Sequence, residues 1–332
     1  MDKHVGEAGF VDLLTEGLGG PRTAEFLGQV QAAVPWGKLV GLVAPMFARA
    51  NPQAGGASRW PVELMLRCVL LQKWFNLSDP QLEEQLRDRL SFRRFVGLSL
   101  QDATPDETTF CLFRQALREH DLEAKLLALS VEHLEAQGLM LREGTLVDAT
   151  IIQAPRPRKL GNGQQRGGDA EGSYIKKHGQ IHYGYRAHTA SDPHGLIRRI
   201  DLDTAKVSEL AHFEELTATE KYLVLADSGY MDRGRAARLL GRGVAAGVLE
   251  HRVRGQKELS CWQRLWNRSI APLRALVELP FAHLKTLGLR RTRYRGLRRN
   301  QGDVWLTALA YNFKRSLSIH PLPPLDLLAG LT

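Results

Sequence analysis

The stretch GTLVDATIIQAP, residues 144–155, limits the possible folds of this chain more than any other segment. Its leucine, valine, isoleucine and threonine residues are types enriched in β-strands, and Pro155 ends the run. Asp148 lies in the middle of this apolar strand, where a carboxylate is costly unless a partner binds it. The segment therefore predicts a half-buried strand whose single acid needs a partner.

Helical patterns precede this strand. The segments PVELMLRCVLLQKWF (61–75) and DPQLEEQLRDRLSFRRFVGL (79–98) repeat apolar residues at helical spacing, and Asp79 with Pro80 is typical of a helix start. In DATPDETTFCLFRQAL, Thr104 and Glu107 predict a capping box. Short consecutive helices, one carrying Arg114, fit either a helix-turn-helix that reads DNA or a plain helical bundle.

Strand patterns follow. The candidates are IHYGYRAHTAS, LIRRIDLDTA, YLVLADSG and VAAGVLE, with helical stretches between the later ones and after residue 250. The stretch 156–173, rich in glycine, glutamine and charge, predicts a loop that orders only when a ligand binds. This order predicts an α/β fold, a mixed sheet flanked by helices, after an all-helical N-terminal region.

The charge of the chain is concentrated in one segment. The whole chain carries a net charge of +9, and between His251 and Arg299 there are 11 Arg and 2 Lys against two glutamates, so this segment alone carries +11. A basic surface of this kind indicates an anionic partner, most often nucleic acid. A solvated basic surface without a ligand is the alternative.

The composition, with 43% hydrophobic and 24% charged residues, is typical of a folded soluble protein. Cys68, Cys111 and Cys261 have no C-x-x-C spacing, so neither a disulfide framework nor a zinc site is predicted. The start MDKHVGEAGF lacks a signal-peptide pattern, and no apolar run reaches membrane-spanning length, so we expect a cytoplasmic protein without a membrane partner.

Two further acids, like Asp148, lie in or directly after apolar segments. Asp227 ends the apolar run of YLVLADSG just before a glycine-containing turn, where α/β sheets often place ligand-binding groups, although a turn aspartate explains it too. Glu278 lies among apolar residues in RALVELPFAHLK, four residues after Arg274, so an ion pair on a helix is the simpler explanation. Several carboxylates near an interior or cleft favour hard divalent cations, and Lys285 would face the bound anion.

These motifs, LVDATIIQAP, LADSGY and the spacing of Arg274, Glu278 and Lys285, together resemble the DDE transposases of bacterial insertion sequences, specifically insertion sequence family five with a family-four-like catalytic domain. The segments SFRRFVGLSLQDATPDETTFCLFRQAL and RYRGLRRN also resemble that family. The resemblance implies a ribonuclease-H-like catalytic domain, with the first acid on the first strand, the second after the fourth strand and the third on a following helix.

The resemblance also implies the site residues. Asp148, Asp227 and Glu278 become the catalytic and metal-binding triad, sharing two Mg²⁺ or Mn²⁺ ions, which would answer what holds Asp148. Arg274 and Lys285 become DNA-contacting residues. The basic tail adds the other predicted DNA-binding residues: Arg290, Arg291, Arg293, Tyr294, Arg295, Arg298 and Arg299.

One position departs from the family pattern. The family carries a tyrosine three residues before its arginine, and this chain has Ala271 there. The triad is unaffected, but the docking of DNA beside the helix is open. Trp262 and Trp266 are predicted to pack in a core, with base stacking as the alternative, and His182 and His188 are predicted to be ordinary packed or exposed histidines.

The predicted function is a DNA transposase that cleaves the ends of its insertion sequence and joins the 3′-hydroxyl ends to target DNA. A ribonuclease-H-like nuclease or resolvase without strand transfer, and a non-catalytic DNA-binding protein derived from a transposase, remain alternatives. The expected partners are double-stranded DNA, as terminal inverted repeats and target, and a second copy of the chain. The expected domains are residues 1–138 (helical, DNA-binding or dimerising), 139–320 (catalytic) and 321–332 (a tail), in a bacterial cytoplasm near the nucleoid.

Overall fold

The central sheet is built around the strand that carries Asp148. The computed structural model describes residues 22–47, 59–141, 143–159, 165–177, 179–208, 211–226, 233–250, 252 and 256–319. The strands are β1 (Thr145–Gln153), β2 (Arg158–Lys159), β3 (Gln165–Arg166), β4 (Ser173–Lys177), β5 (Gln180–Ser191), β6 (Ile197–Thr204), β7 (Leu223–Ala226) and β8 (Ala245–Gly247).

Seven helices precede β1 in the described residues: α1 (Arg22–Ala33), α2 (Trp36–Phe47), α3 (Val62–Trp74), α4 (Asp79–Asp88), α5 (Leu90–Val96), α6 (Glu107–Glu119) and α7 (Leu122–Ala136). Two short helices accompany the later strands: α8 (Phe213–Leu216) and α9 (Arg233–Gly241). Three helices follow the sheet: α10 (Cys261–Ala275), α11 (Glu278–Thr286) and α12 (Leu297–Ser316). No single described helix is long and apolar enough to cross a membrane; α1 and α2 meet that test only as a pair bent by 74°.

The sheet has the ribonuclease-H-like order. Strand β5 pairs antiparallel with β1 and with β6, while β7 runs parallel to β1 and β8 runs parallel to β7. The order is thus β6, β5, β1, β7, β8, and β4 extends it by pairing with the first half of β5. The predicted mixed sheet flanked by helices is confirmed, and all four later strand candidates form strands.

The alternation of side chains along β1 divides the sheet into two faces. Val147 and Ala149 pack in a cluster with residues of α8 and α9, whereas Leu146 packs against α10 and Val277. Successive side chains of a strand point to opposite faces, so Asp148 lies on the face of Leu146. The first acid therefore faces α10 and α11.

The helical region and the last helix share one hydrophobic core. A single cluster joins Leu70 of α3 and Phe92 of α5 with Tyr185 of β5 and Phe313 of α12. Trp74 Nε1 donates to the carbonyl oxygen of Ala310 at 2.8 Å across the same interface. The boundary between residues 138 and 139 stays a prediction, and the predicted tail of residues 321–332 lies outside the described residues.

Polar contacts of two buried cations link α3 with α12, and α6 with α3 and α4. Lys73, 1% exposed, pairs with Asp303 of α12. Arg114 donates to Asp79 at 2.5 Å and to Gln72 at 3.1 Å. We call these five residues the junction network. Because the Arg114 side chain is 3% exposed and paired, it is not available to read DNA from a helix-turn-helix.

Two predicted helix caps are wrong by a residue or two. The α4 cap is Ser78, which forms the capping box with Gln81, because Asp79 is held by Arg114. The α6 cap is Asp106, whose carboxylate accepts from the Thr109 N–H at 2.7 Å. The predicted box of Thr104 and Glu107 does not form, since Glu107 is already the first helical residue.

The segment 156–173 is more ordered than its composition predicts. It contains β2 and β3, which pair antiparallel, and Asp169, which is 1% exposed. The Tyr185 hydroxyl donates to the Asp169 carboxylate at 2.8 Å, and the Gly296 N–H donates to it at 3.1 Å. Residues 160–164, the middle of the predicted loop, lie outside the described residues.

Candidate active site

A cleft of about 630 Å³ opens where β1 and β4 meet α10 and α11. Asp148 of β1 and Glu278 of α11 both line it, although they are far apart in the chain. Lys177, at the end of β4, and Lys285 of α11 line it as well. Two carboxylates and two ammonium groups thus share one water-accessible space, which is a common setting for the binding of a metal and an anion.

Asp148 enters this cleft because of the strand register. The pairing of β1 with β7 ends at Val147, which lies opposite Ala226, so Asp148 is the first residue of β1 beyond that pairing. Its side chain is half-buried, and its Oδ1 accepts the Ala149 N–H at 2.7 Å.

Asp227 lies outside the described residues. It follows Ala226 in the chain, and Ala226 is the register partner of Val147. Strand β7 runs parallel to β1, and the last pair of the two strands is Val147 with Ala226. In sequence, Asp148 comes directly after Val147, and Asp227 comes directly after Ala226. The strand assignment that preceded Asp227 in the sequence is therefore confirmed, while its side chain stays a prediction.

Glu278 begins a helix rather than continuing one. Helix α10 ends at Ala275, and the Leu279 N–H bonds to the Leu276 carbonyl at 3.1 Å, a tight turn before α11. The carboxylate is exposed and forms no ion pair with any residue that the structure describes. Arg274 lies in α10 by its backbone, but its side chain lies outside the described part, so its predicted DNA contact is untested.

Lys285 follows Glu278 by two helical turns, so both lie on one face of α11. Its side chain is half-buried and lines the cleft, as the sequence predicted for a group that faces a bound anion. Lys177 was missed by the sequence analysis, because its segment SYIKKHG lies outside the strongly basic stretch. Pairing of β4 with β5 at the edge of the sheet brings it to the cleft.

Small side chains keep the cleft wide. Ala271 and Ala275 lie one turn apart on α10 and both line the space. A larger side chain at either position would fill volume beside Asp148 and Glu278. Ala271, the position where the related family carries tyrosine, therefore contributes space and no hydrogen-bonding group.

The basic segment after α11 divides into outward and inward side chains. Arg290, Arg291, Arg295 and Arg299 are exposed, and none forms an ion pair with a residue in the described ranges. The segment is attached to the end of β1, because the Gln153 N–H donates to the Arg290 carbonyl at 3.2 Å and the Thr292 N–H donates to the Gln153 carbonyl at 2.8 Å. The segment with the exposed cations thus runs beside the end of the strand that carries Asp148.

The other residues of this segment contact the protein. Arg293 donates to the Leu77 carbonyl at 2.6 Å and to Asn76 Oδ1 at 2.8 Å, which ties the segment to the turn after α3. Burial raises the pKa of Tyr294 to about 12, and the Arg114 guanidinium lies 5.8 Å from its ring centre. Arg298 is 70% exposed but pairs with Asp121 at 3.4 Å.

The tryptophans and histidines differ from one another. Trp266 packs partly in the core and donates to the Val248 carbonyl at 2.9 Å, as predicted, whereas Trp262 is 63% exposed and stacks on it with ring centres 5.7 Å apart. Core packing is therefore wrong for Trp262. His182 is half-exposed, and His188 is fully buried on the face of β5 opposite Asp148.

The donor set of the cleft fits hard divalent cations. Asp148 and Glu278 offer carboxylate oxygens, the ligand type that Mg²⁺ and Mn²⁺ prefer. The Glu278 carboxylate is free of competing ion pairs among the described residues, and Asp148 has one oxygen bound by a backbone N–H. A cation bound in the cleft would neutralise the charge of these two carboxylates.

Comparisons with known proteins identify the family of this chain. Residues 140–313 match the family model described as "Transposase DDE domain", and residues 20–116 match a second model described as "Transposase domain (DUF772)". A cryo-EM structure of a piggyBac transposase synaptic complex with hairpin DNA overlaps with a TM-score of 0.40 at 10% identity, over 91% of this chain and 75% of that chain. Because the DDE-domain match covers more than half of the chain, this chain belongs to the DDE transposase family and is an enzyme, a DNA transposase that uses divalent metal.

Proposed function

We propose that this transposase cleaves DNA at the ends of its own insertion sequence and joins the 3′-hydroxyl ends to target DNA, with Asp148, Asp227 and Glu278 as its metal-binding acids. The observation that supports it most is that Asp148 and Glu278 line one cleft. The register of Val147 with Ala226 supports Asp227 as the third acid.

The triad would hold two Mg²⁺ or Mn²⁺ ions. When bound, such ions activate a water or a 3′-hydroxyl and stabilise the leaving oxygen during in-line displacement. Asp148 and Glu278 would ligate from opposite walls of the cleft. Lys177 and Lys285 would bind the non-bridging oxygens of the scissile phosphate, since both line the same space.

Double-stranded DNA would lie across the cleft and the exposed arginines. Arg290, Arg291, Arg295 and Arg299 would neutralise backbone phosphates, which positions the duplex without reading its sequence. We further propose a homodimer on DNA, because two inverted terminal repeats must be held together for joining. Light scattering of the chain with and without a terminal-repeat duplex tests that stoichiometry.

A cleavage and joining assay tests the catalytic proposal. Duplexes carrying the inverted repeats that flank the gene, with a labelled 3′ end, are incubated with Mg²⁺ and a target plasmid. Asp148→Asn, Asp227→Asn and Glu278→Gln should each bring cleavage below detection while retaining DNA binding. Asp88→Asn, an exposed acid at the end of α4, is the matched control and should retain both steps.

The assay separates the alternatives. Cleavage without joined product, in conditions where the control variant is also active, would indicate a nuclease or resolvase. Binding without cleavage by the unaltered chain would indicate a DNA-binding protein derived from a transposase. Full cleavage by Asp148→Asn would contradict the assignment of that acid.

A further inference from the structure

A second cluster of metal-ligand side chains lies on the face of the sheet opposite the catalytic cleft. Ligand atoms of Asp201 on β6, His212 before α8 and Glu215 on α8 all lie within 4.8 Å of one another. None of these residues lines the cleft of Asp148 and Glu278. Asp201 and Glu215 also line a separate cavity of about 750 Å³ between α7, β6 and α8, which provides an entry path.

The hydrogen bonding of His212 is that of a metal ligand. Its Nε2 lies 3.2 Å from Oδ2 of Asp203. A histidine that binds a metal usually donates its other ring N–H to a carboxylate, which fixes the tautomer and the ring orientation. In the tautomer in which Nε2 donates to Asp203, Nδ1 keeps its lone pair and can bind a cation.

A fully buried histidine without a partner adjoins the cluster. His188 is 0% exposed, and neither of its ring nitrogens has a hydrogen-bond partner. It lies directly opposite Asp201 in the β5–β6 register, so both side chains are on one face, and its ring lies against His212 with centres 4.5 Å apart. A buried polar group without a hydrogen-bond partner is costly, so His188 raises the cost of this polar region beside the cluster.

Arg199 is the competing partner of the two carboxylates. It pairs with Asp201 at 2.9 Å and also with Glu215, and its side chain is 41% exposed. This ion pair explains the two carboxylates but not the imidazole of His212 beside them. Because Arg199 is long and partly in solvent, it can leave the carboxylates without disturbing the sheet.

We propose that Asp201, His212 and Glu215 bind a divalent transition-metal ion, with Arg199 as the group that the ion displaces. Mixed imidazole and carboxylate ligands favour Zn²⁺, Co²⁺ or Mn²⁺ over Mg²⁺. The site joins β5 and β6 to α8 and is separate from the proposed catalytic metals.

Cobalt titration of the full chain tests this proposal. The background carries Asp148→Asn and Glu278→Gln, so that the catalytic cleft has lost two of its proposed ligands. Visible absorption should show one Co²⁺ bound per chain, displaced by Zn²⁺. Adding Glu215→Gln should weaken Co²⁺ binding by at least about tenfold, and Asp203→Asn by about tenfold through His212.

The chain offers a matched control next to the ligand. Glu214 is 51% exposed and pairs with Arg238, whereas Glu215 is 58% exposed and belongs to the cluster. Glu214→Gln should leave Co²⁺ affinity unchanged. No cobalt binding in the background, or equal losses in the two glutamate variants, would overturn the proposal.

A further variant separates the metal site from a simple ion-pair cluster. Arg199→Gln should bind Co²⁺ more tightly, because the competing cation is gone. Affinity that does not rise would contradict the proposal.

Discussion

The catalytic cleft and the junction network use the same residue types in opposite surroundings. Glu278 is exposed in the cleft and forms no ion pair with a described residue, whereas Asp303 is 6% exposed and paired with Lys73. Removing a charge from the first kind of site leaves no buried partner behind, while removing it from the second leaves a buried countercharge. An acid beside apolar residues can therefore either bind a ligand in a cleft or stabilise the fold. Which role it has depends on whether it is paired with a buried countercharge.

Asp303→Asn should show the largest effect on stability. Lys73, 1% exposed, would lose the carboxylate with which it forms its ion pair, and breaking a buried pair in this way costs about 3–5 kcal/mol. Urea unfolding measures the loss. The double variant Lys73→Met with Asp303→Leu should recover most of it, whereas equal instability of both variants would show that the pair is not the cause.

We expect Glu123 to make the stability of the folded chain depend on pH. Burial raises the pKa of this α7 carboxyl to about 7, with Arg118 at 3.7 Å opposing the rise. In the folded chain the Glu123 carboxyl keeps its proton up to about pH 7, whereas in the unfolded chain it releases the proton near pH 4.5. The free energy of unfolding is therefore highest below pH 4.5, and this contribution is lost as the pH rises through 7. The loss is at most about 3 kcal/mol.

Unfolding at pH 5 and pH 8 checks this. Glu123→Gln should be more stable than the unaltered chain at pH 8 and nearly equal to it at pH 5. Glu132→Gln, an exposed glutamate on the same helix, is the control and should not change the pH dependence. A pH profile of Glu123→Gln that parallels the unaltered chain would contradict the burial argument.

Asp148→Asn should show that an acid of the cleft affects stability differently from an acid of the junction network. Without metal, in EDTA, the variant should be at least as stable as the unaltered chain, because one of the mutually repelling carboxylates is gone. With Mn²⁺ at a hundred times its dissociation constant, the unaltered chain should gain about 2.7 kcal/mol, and the variant much less. A variant that is destabilised in EDTA and responds fully to Mn²⁺ would instead place Asp148 in an ion pair.

Substitutions of the arginines after α11 should have the smallest effects on stability. Arginines that contact the protein should affect stability more than exposed ones. Arg293→Ala should cost about 2 kcal/mol, since two hydrogen bonds to the turn after α3 are lost. Arg295→Ala and Arg299→Ala should leave stability within about 0.5 kcal/mol. Each should reduce the salt dependence of DNA binding by about 0.9 in the logarithmic slope. An unchanged slope in both would count against a phosphate-contacting surface.

Much of the fold was predictable because its patterns are local. The alternation around Asp148 and the apolar run before Asp227 identify strands within a few residues, since the period of a strand is two. The same locality explains the errors. Asp79 has the right chemistry for a cap, but Arg114, distant in sequence, engages its carboxylate and Ser78 caps the helix.

The sequence singled out Asp148 and Glu278, which line the cleft, but not the other groups around them. Lys177 reaches the cleft only through the pairing of β4 with β5, and nothing near it in the sequence indicates that contact. The cluster of Asp201, His212 and Glu215 was likewise invisible, because strand register and a separate short helix bring its members together.

The element types, the order of the acids along the chain and the concentration of positive charge after residue 251 could be derived from the amino-acid sequence. The charged groups that line the cleft, those that form the junction network, and the inward position of Arg293 beside the exposed Arg295 became known only from the folded chain. The physical reason is that periodicity depends on neighbours a few residues away. The surroundings of a charge depend instead on residues brought together by strand register and helix packing across the whole chain.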